Sequence, residues 1–183
     1  MLLMLWKKFL AKKNQKDKRK LVMSLFYSRA NIIRGALIYA AGDTIACLIT
    51  GDFMLSRVLG MMLIGGTVYA FEIPNYLLYL NDKNFGSDYK AKIIRGLLFH
   101  IYFNPLWIAR HLLMIALISL DFNSIGFELI SIGWYSFIYS TPFVLPANFV
   151  LQNYIPYKWR FISSAIFSGI MAVYYALSRI LFN

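Results

Sequence analysis

The sequence is poor in cysteine, histidine and charged residues, and each shortage excludes a class of protein. Cys47 is the single cysteine, which excludes an internal disulfide and a cysteine-based zinc site. Charged residues make up 15% of the chain and hydrophobic residues 60%, whereas a soluble domain has about 25% and about 45–50%. We therefore expect an integral membrane protein that forms one compact domain with little outside the bilayer.

The few histidines argue against metal chemistry. His100 and His111 are eleven residues apart, about 16 Å along a helix, which is too far for both to bind one metal ion. No metal-binding spacing of histidine and glutamate is present, so we predict no metal site and no cofactor. No nucleophile-elbow or similar signature is present either. We predict that the protein is not an enzyme and has no catalytic residues.

Long hydrophobic runs, by contrast, are abundant. Each is near the ~20 residues that a membrane-spanning helix needs, and none alternates as the strands of a membrane barrel would. They cover residues 32–50, 58–80, 96–120, 127–150 and 161–182. We predict an all-α, polytopic helix bundle with four to five transmembrane helices over residues 31–183, after a basic, partly amphipathic N-terminal segment over residues 1–30. The last run is rich in Ser and Tyr, which keeps the four-span version open.

The basic residues are concentrated near the N-terminus, where ten of the nineteen Lys and Arg lie at or before Arg34. A basic cluster ahead of a span fixes topology and contacts anionic lipid headgroups. We therefore expect the bilayer as partner rather than nucleic acid, and the N-terminus on the cytoplasmic or matrix side. The compartment stays open between a bacterial inner (cytoplasmic) membrane and a mitochondrial inner or peroxisomal membrane.

Two carboxylates, Asp43 and Glu72, lie inside apolar runs. An ionisable group at that depth costs several kcal/mol by insertion-based estimates, so it needs a partner, a proton or water. Arg110 is the natural counter-charge for either carboxylate, and Asn148 and His100 add neutral polar groups to this central polar cluster. The cluster is either a structural ion pair or the lining of a wet cavity, and we favour the cavity.

The helices of this bundle are predicted to bend and to approach one another closely. Pro74, Pro105, Pro142 and Pro146 each remove a backbone donor and favour a kink. Small residues at four-residue spacing, such as Gly42 and Ala46, allow close helix contact in lipid.

An order of short motifs completes the pattern. Gly42-Asp43 lies toward the end of the first run and Arg57 directly precedes the second. Arg95 directly precedes the third run, and Pro105 lies within it. The later motif residues are Pro142, Asn148, Phe149, Pro156 and Arg160. In this order, over most of the chain after about residue 30, the sequence resembles the Mpv/PMP family of peroxisomal and mitochondrial inner-membrane proteins. Phe99-His100 and Leu145 replace polar residues of that family.

The resemblance implies a small membrane protein that forms a channel or transporter-like pathway for small solutes or ions, possibly as a homo-oligomer. Two alternatives stay open. Asp43-Thr44 and Phe103-Asn104-Pro105 resemble a bacterial L-alanine exporter family, which implies a small amino-acid exporter. A non-transporting structural or assembly protein, whose buried charges hold the helices together, is the second.

Overall fold

The computed structural model describes residues 27–51, 53–83 and 85–181, and their side chains up to residue 174. The predicted basic segment over residues 1–30 therefore lies outside the described residues except for its last four. Within the described ranges the regular structure is helical and contains no strand. The all-α prediction is confirmed.

The first two runs form an antiparallel helical pair. Helix α1 (Arg29–Thr50) begins after Ser28, whose hydroxyl accepts a hydrogen bond from the Asn31 N–H, and ends at Gly51 with φ of 80°. Glycine is the usual residue at this left-handed position because it has no side chain to clash. Helix α2 (Leu55–Ile64) then returns along α1. It continues through a π-helical turn (Gly65–Tyr69) into helix α3 (Ala70–Asp82).

The third run consists of two half-helices, α4 (Tyr89–Tyr102) and α5 (Pro105–Ile118). Both pack against helix α6 (Glu128–Asn153), in antiparallel register. Gly96 contacts Phe149, His100 contacts Thr141, and Gly133 contacts Pro105. Helix α7 (Tyr157–Leu181) follows and packs mainly against α1.

The break between the half-helices corrects the kink predicted at Pro105. Asn104 is the N-cap of α5, its side-chain oxygen accepting from the Trp107 N–H at 3.1 Å, and Pro105 is the first helical residue. Proline is favoured there because that N–H has no helical partner anyway. Pro74, Pro142 and Pro146 lie inside α3 and α6, and the kinks expected at them stay predictions.

Among the described residues, three helical stretches are long and apolar enough to cross a membrane, namely Arg29–Thr50, Leu55–Asp82 and Tyr89–Ile118. Large apolar side chains such as Leu48, Leu59 and Leu63 are exposed, while Asp43 and Asn148 are buried. An apolar exterior around a polar interior suits a lipid environment, in which leucine costs nothing to expose and a charge is expensive.

Candidate functional site

Asp43 and Arg57 form a closed ion pair between α1 and the first turn of α2. Arg57 Nε donates to one carboxylate oxygen and Nη2 to the other, both at 2.9 Å. The side chains are 2% and 13% exposed for Asp43 and Arg57. Charge-assisted, two-point bonds of this kind are among the stronger polar contacts in proteins. Arg57, predicted only as a motif residue, is thus the partner of Asp43.

Cys47 belongs to the same site. It lies one turn after Asp43, is buried, and its thiol is 3.6 Å from the Asp43 carboxylate. Its small side chain is buried among the helices.

Glu72 and Arg110 form a second pair, between α3 and α5. Arg110 Nη2 donates to the Glu72 carboxylate at 2.8 Å, and the guanidinium lies 5.7 Å from the centre of the Trp107 ring. This pair is more open than the first, since the side chains of Arg110 and Glu72 are 36% and 27% exposed. The sequence allowed Arg110 to neutralise either carboxylate, and the fold assigns it to Glu72.

An open hollow lies beside Glu72. It has a volume of about 580 Å³ and is lined by Tyr27, Thr67, Val68, Phe71 and Glu72. The Tyr27 hydroxyl donates to the Gly66 carbonyl at 2.9 Å. The second ion pair therefore faces an open space at the surface of the described bundle, and its side chains are more exposed than those of the first.

Tyr69 and His111 lie between the two ion pairs, and the sequence did not single them out as site residues. The Tyr69 hydroxyl and His111 Nδ1 are hydrogen-bonded at 2.7 Å, and both residues are buried. Tyr69 interacts electrostatically with Asp43, Glu72 and Arg110, and His111 with Asp43, Arg57 and Arg110. In the structure the central polar cluster thus differs from the predicted one and consists of six residues: Asp43, Arg57, Tyr69, Glu72, Arg110 and His111.

The turn that carries Tyr69 is π-helical, which a hydropathy pattern does not reveal. Two glycines begin it, and Gly65 lies directly against Gly35 of α1. Single π-helical turns inside α-helices are frequent at functional sites. His111 could have been found, because it follows Arg110 within an apolar run.

His100 and Asn148, predicted as members of the cluster, make their contacts elsewhere. His100 Nε2 lies 3.0 Å from the Thr141 hydroxyl, and its ring stacks on Phe137 of α6. Asn148 is buried and lines a small cavity between α5, α6 and α7. Both residues are polar groups of the α6 interface.

The remaining motif residues hold helix ends and helix contacts. Arg95 donates to Asn153 and to the Gly86 carbonyl, and Arg160 donates to the Ile155 carbonyl at 2.9 Å. Gly42 is packed against Gly169 of α7. Phe149 lies against Gly96, and Pro156 immediately precedes α7. These contacts give the motif order a structural role.

Comparisons with known proteins assign no family to the chain. No family model, curated protein or solved structure matches the chain. Among the described residues, no group of three His, Cys, Asp or Glu side chains could hold a metal ion. The resemblance to the Mpv/PMP family stays a prediction that depends on the motif order.

Proposed function

We propose that the protein is a small polytopic membrane protein that provides a pathway for small solutes or ions. The Glu72–Arg110 pair is the charged point that the solute passes, which we call the polar step. The observation that carries the proposal is the exposure of this pair, about a third of each side chain, within two span-length helical stretches. Lipid cannot solvate charged groups at such a position, so water or protein must cover them. The hollow beside Glu72 leaves room for such cover.

The local backbone supports the same interpretation. The π-helical turn precedes Glu72 by three residues, and the break between α4 and α5 precedes Arg110 by six. Irregular backbone within a membrane is tolerated where it is buried in protein or lines a cavity that contains water. The polar step therefore lies between two discontinuities of the helices that carry it.

The competing role, a protein whose charges only hold helices together, fits the Asp43–Arg57 pair better. That pair is closed, two-point bonded and buried. We assign it a structural role, so the two carboxylates that look equivalent in the sequence have different functions. Asp43 and Asn104, which carry the resemblance to the alanine exporters, have structural partners here, so no observation favours that alternative.

The pathway proposal includes four to five spans. Helices α6 and α7 have 26 and 25 residues, about 39 and 37 Å, which is enough to cross a bilayer. The basic N-terminal segment would lie on the cytoplasmic or matrix side against anionic lipid headgroups. A homo-oligomer would cover part of the exposed apolar surface. The compartment is one of the three membranes named above.

Cysteine labelling with a membrane-impermeant maleimide tests the topology. We expect Lys90→Cys and Lys158→Cys to be labelled from one side and Asn123→Cys from the other, since each exposed position lies in or beside a different loop. Buried Cys47 is the internal control and should stay unlabelled until the protein is unfolded. Labelling of positions 123 and 158 from the same side would show that α6 does not span.

Flux through liposomes containing the purified protein tests the pathway. We expect wild-type flux of small ions above protein-free liposomes. Glu72→Gln leaves the positive charge of Arg110 unbalanced and should raise the anion-to-cation permeability ratio about tenfold, or about 1.4 kcal/mol. Arg110→Gln should lower that ratio by a similar factor, because Glu72 then remains alone.

The opposite signs separate a lining role from a folding defect, which would lower both permeabilities together. Lys90→Gln removes a charge from an exposed position beside a loop and serves as the matched control with an unchanged ratio. Wild-type flux equal to that of protein-free liposomes would refute the pathway. Equal ratios in all variants would remove Glu72 and Arg110 from it.

A further inference from the structure

A small, partly enclosed cavity lies at the break between α4 and α5, beside the central polar cluster, because Trp107 lines the cavity and stacks on His111. Phe103 and Trp107 line it on the two sides of the break, and α6 and α7 close it. The centre of a water-sized sphere can move within about 20 Å³ of this cavity. One water molecule needs roughly 10–15 Å³ by this measure. The other lining residues are Val144, Asn148, Ser164, Phe167, Ser168 and Met171.

The lining contains hydrogen-bond donors without acceptors. The indole Nε1–H of Trp107 and the side-chain amide nitrogen of Asn148 have no partner in the described part of the chain. These residues are only 7% and 2% exposed. Both nitrogen groups can only donate, and leaving a buried donor unpaired costs about 1–3 kcal/mol. An acceptor of suitable size would remove that cost for both.

The surroundings also favour an electron-rich occupant. The N-terminus of α5, a helix of 14 residues, begins at the break, and helix N-termini carry a partial positive charge. The Arg110 guanidinium lies over the ring of Trp107. None of the residues that line the cavity is a carboxylate, so no negative charge in the lining opposes such an occupant.

We propose that this cavity is a binding site for one hydrogen-bond acceptor of water size, a water molecule or a halide ion, held by Trp107 and Asn148. The two serines, Ser164 and Ser168, can complete its shell because a hydroxyl both donates and accepts. The site differs in position and chemistry from the Glu72–Arg110 step and does not depend on the flux proposal.

The indole N–H of Trp107 reports directly on the occupant. A protein with Trp6→Phe, Trp134→Phe and Trp159→Phe keeps Trp107 as its single tryptophan. Ultraviolet resonance Raman spectroscopy of this protein measures whether the indole N–H is hydrogen-bonded. We expect the bonded position of the band. Adding Ser164→Val should place a methyl group in the cavity, expel the occupant and shift the band to the free position.

Controls keep the outcome interpretable. A protein with Trp134 alone, which is 55% exposed, should give the same spectrum with and without Ser164→Val. If Ser164→Val does not fold, Asn148→Leu removes the second donor and should weaken the bonded band. Spectra in chloride and in gluconate separate the two occupants, because only a halide site should change the position of its bonded band when chloride is removed. A free indole N–H in both solutions would overturn the proposal.

Discussion

Asp43→Asn is expected to destabilise the folded protein by about 3–5 kcal/mol, because it leaves the Arg57 guanidinium in a nearly closed interface without its counter-charge. Detergent-denaturation curves monitored by circular dichroism would measure this loss. The double variant Asp43→Leu with Arg57→Met should recover most of it, since well-packed apolar residues often replace a buried ion pair without loss.

The more open ion pair supplies the matched control. Glu72→Gln should cost no more than about 1 kcal/mol, because partly exposed pairs contribute little to stability. A smaller loss for Asp43→Asn than for Glu72→Gln would contradict the structural role of the first pair. A double variant as unstable as Asp43→Asn would show that the charges do more than neutralise one another.

Gly42→Ala is expected to weaken the α1–α7 contact by about 3 kcal/mol, the upper end of typical overpacking costs. An added Cβ at this position would lie 2.5 Å from the Cα of Gly169 and 3.0 Å from its carbonyl oxygen. These are backbone atoms, which cannot rotate away as a flexible side chain can, so the two helices must separate. Thermal unfolding in detergent should show a lower midpoint.

The same substitution at the other glycine of the α1–α7 contact is the control. A Cβ added at Gly169 would lie 3.6 Å from the Cα of Gly42, an ordinary contact distance, so Gly169→Ala should change stability by less than about 0.5 kcal/mol. Equal losses at both positions would mean that helix flexibility, rather than close approach, explains the two glycines.

The positions of the helices were largely predictable from the sequence. All five apolar runs correspond to helices of the described structure, because backbone groups in lipid must be paired within each segment. The number of spans was less predictable. Serine, tyrosine and proline in α6 lower its hydropathy, and three stretches of the described residues reach the level expected of a span. Hydropathy alone does not show whether a helix that mixes apolar and polar residues crosses the membrane.

The break between α4 and α5 was predictable from a helix-capping motif, although the hydropathy pattern did not show it. Asn104-Pro105 is the sequence of a new helix start, with a capping amide followed by proline at the first position. The prediction of a kink at Pro105 did not recognise this helix start. The cap oxygen bonds the Trp107 N–H, so a local rule of capping was the better guide at this point.

The pairing of charges could not be predicted, because it depends on which helices become neighbours. Arg57 reaches Asp43 since a short link returns α2 along α1, and Arg110 reaches Glu72 across a contact between residues 38 positions apart. Sequence spacing fixes neither contact. The Tyr69–His111 hydrogen bond, 42 positions apart, was equally hidden.

The π-helical turn changes the direction in which side chains point before and after it in the second run. One extra residue in a helical turn rotates everything after it by about 100° relative to a regular α-helix. Arg57 lies before this turn and Glu72 after it. The face that α2 presents to α1 and the face that α3 presents to α5 are therefore set separately within one continuous element. A single residue gained or lost in Gly65–Tyr69 would rotate one ion pair out of position and leave the other in place.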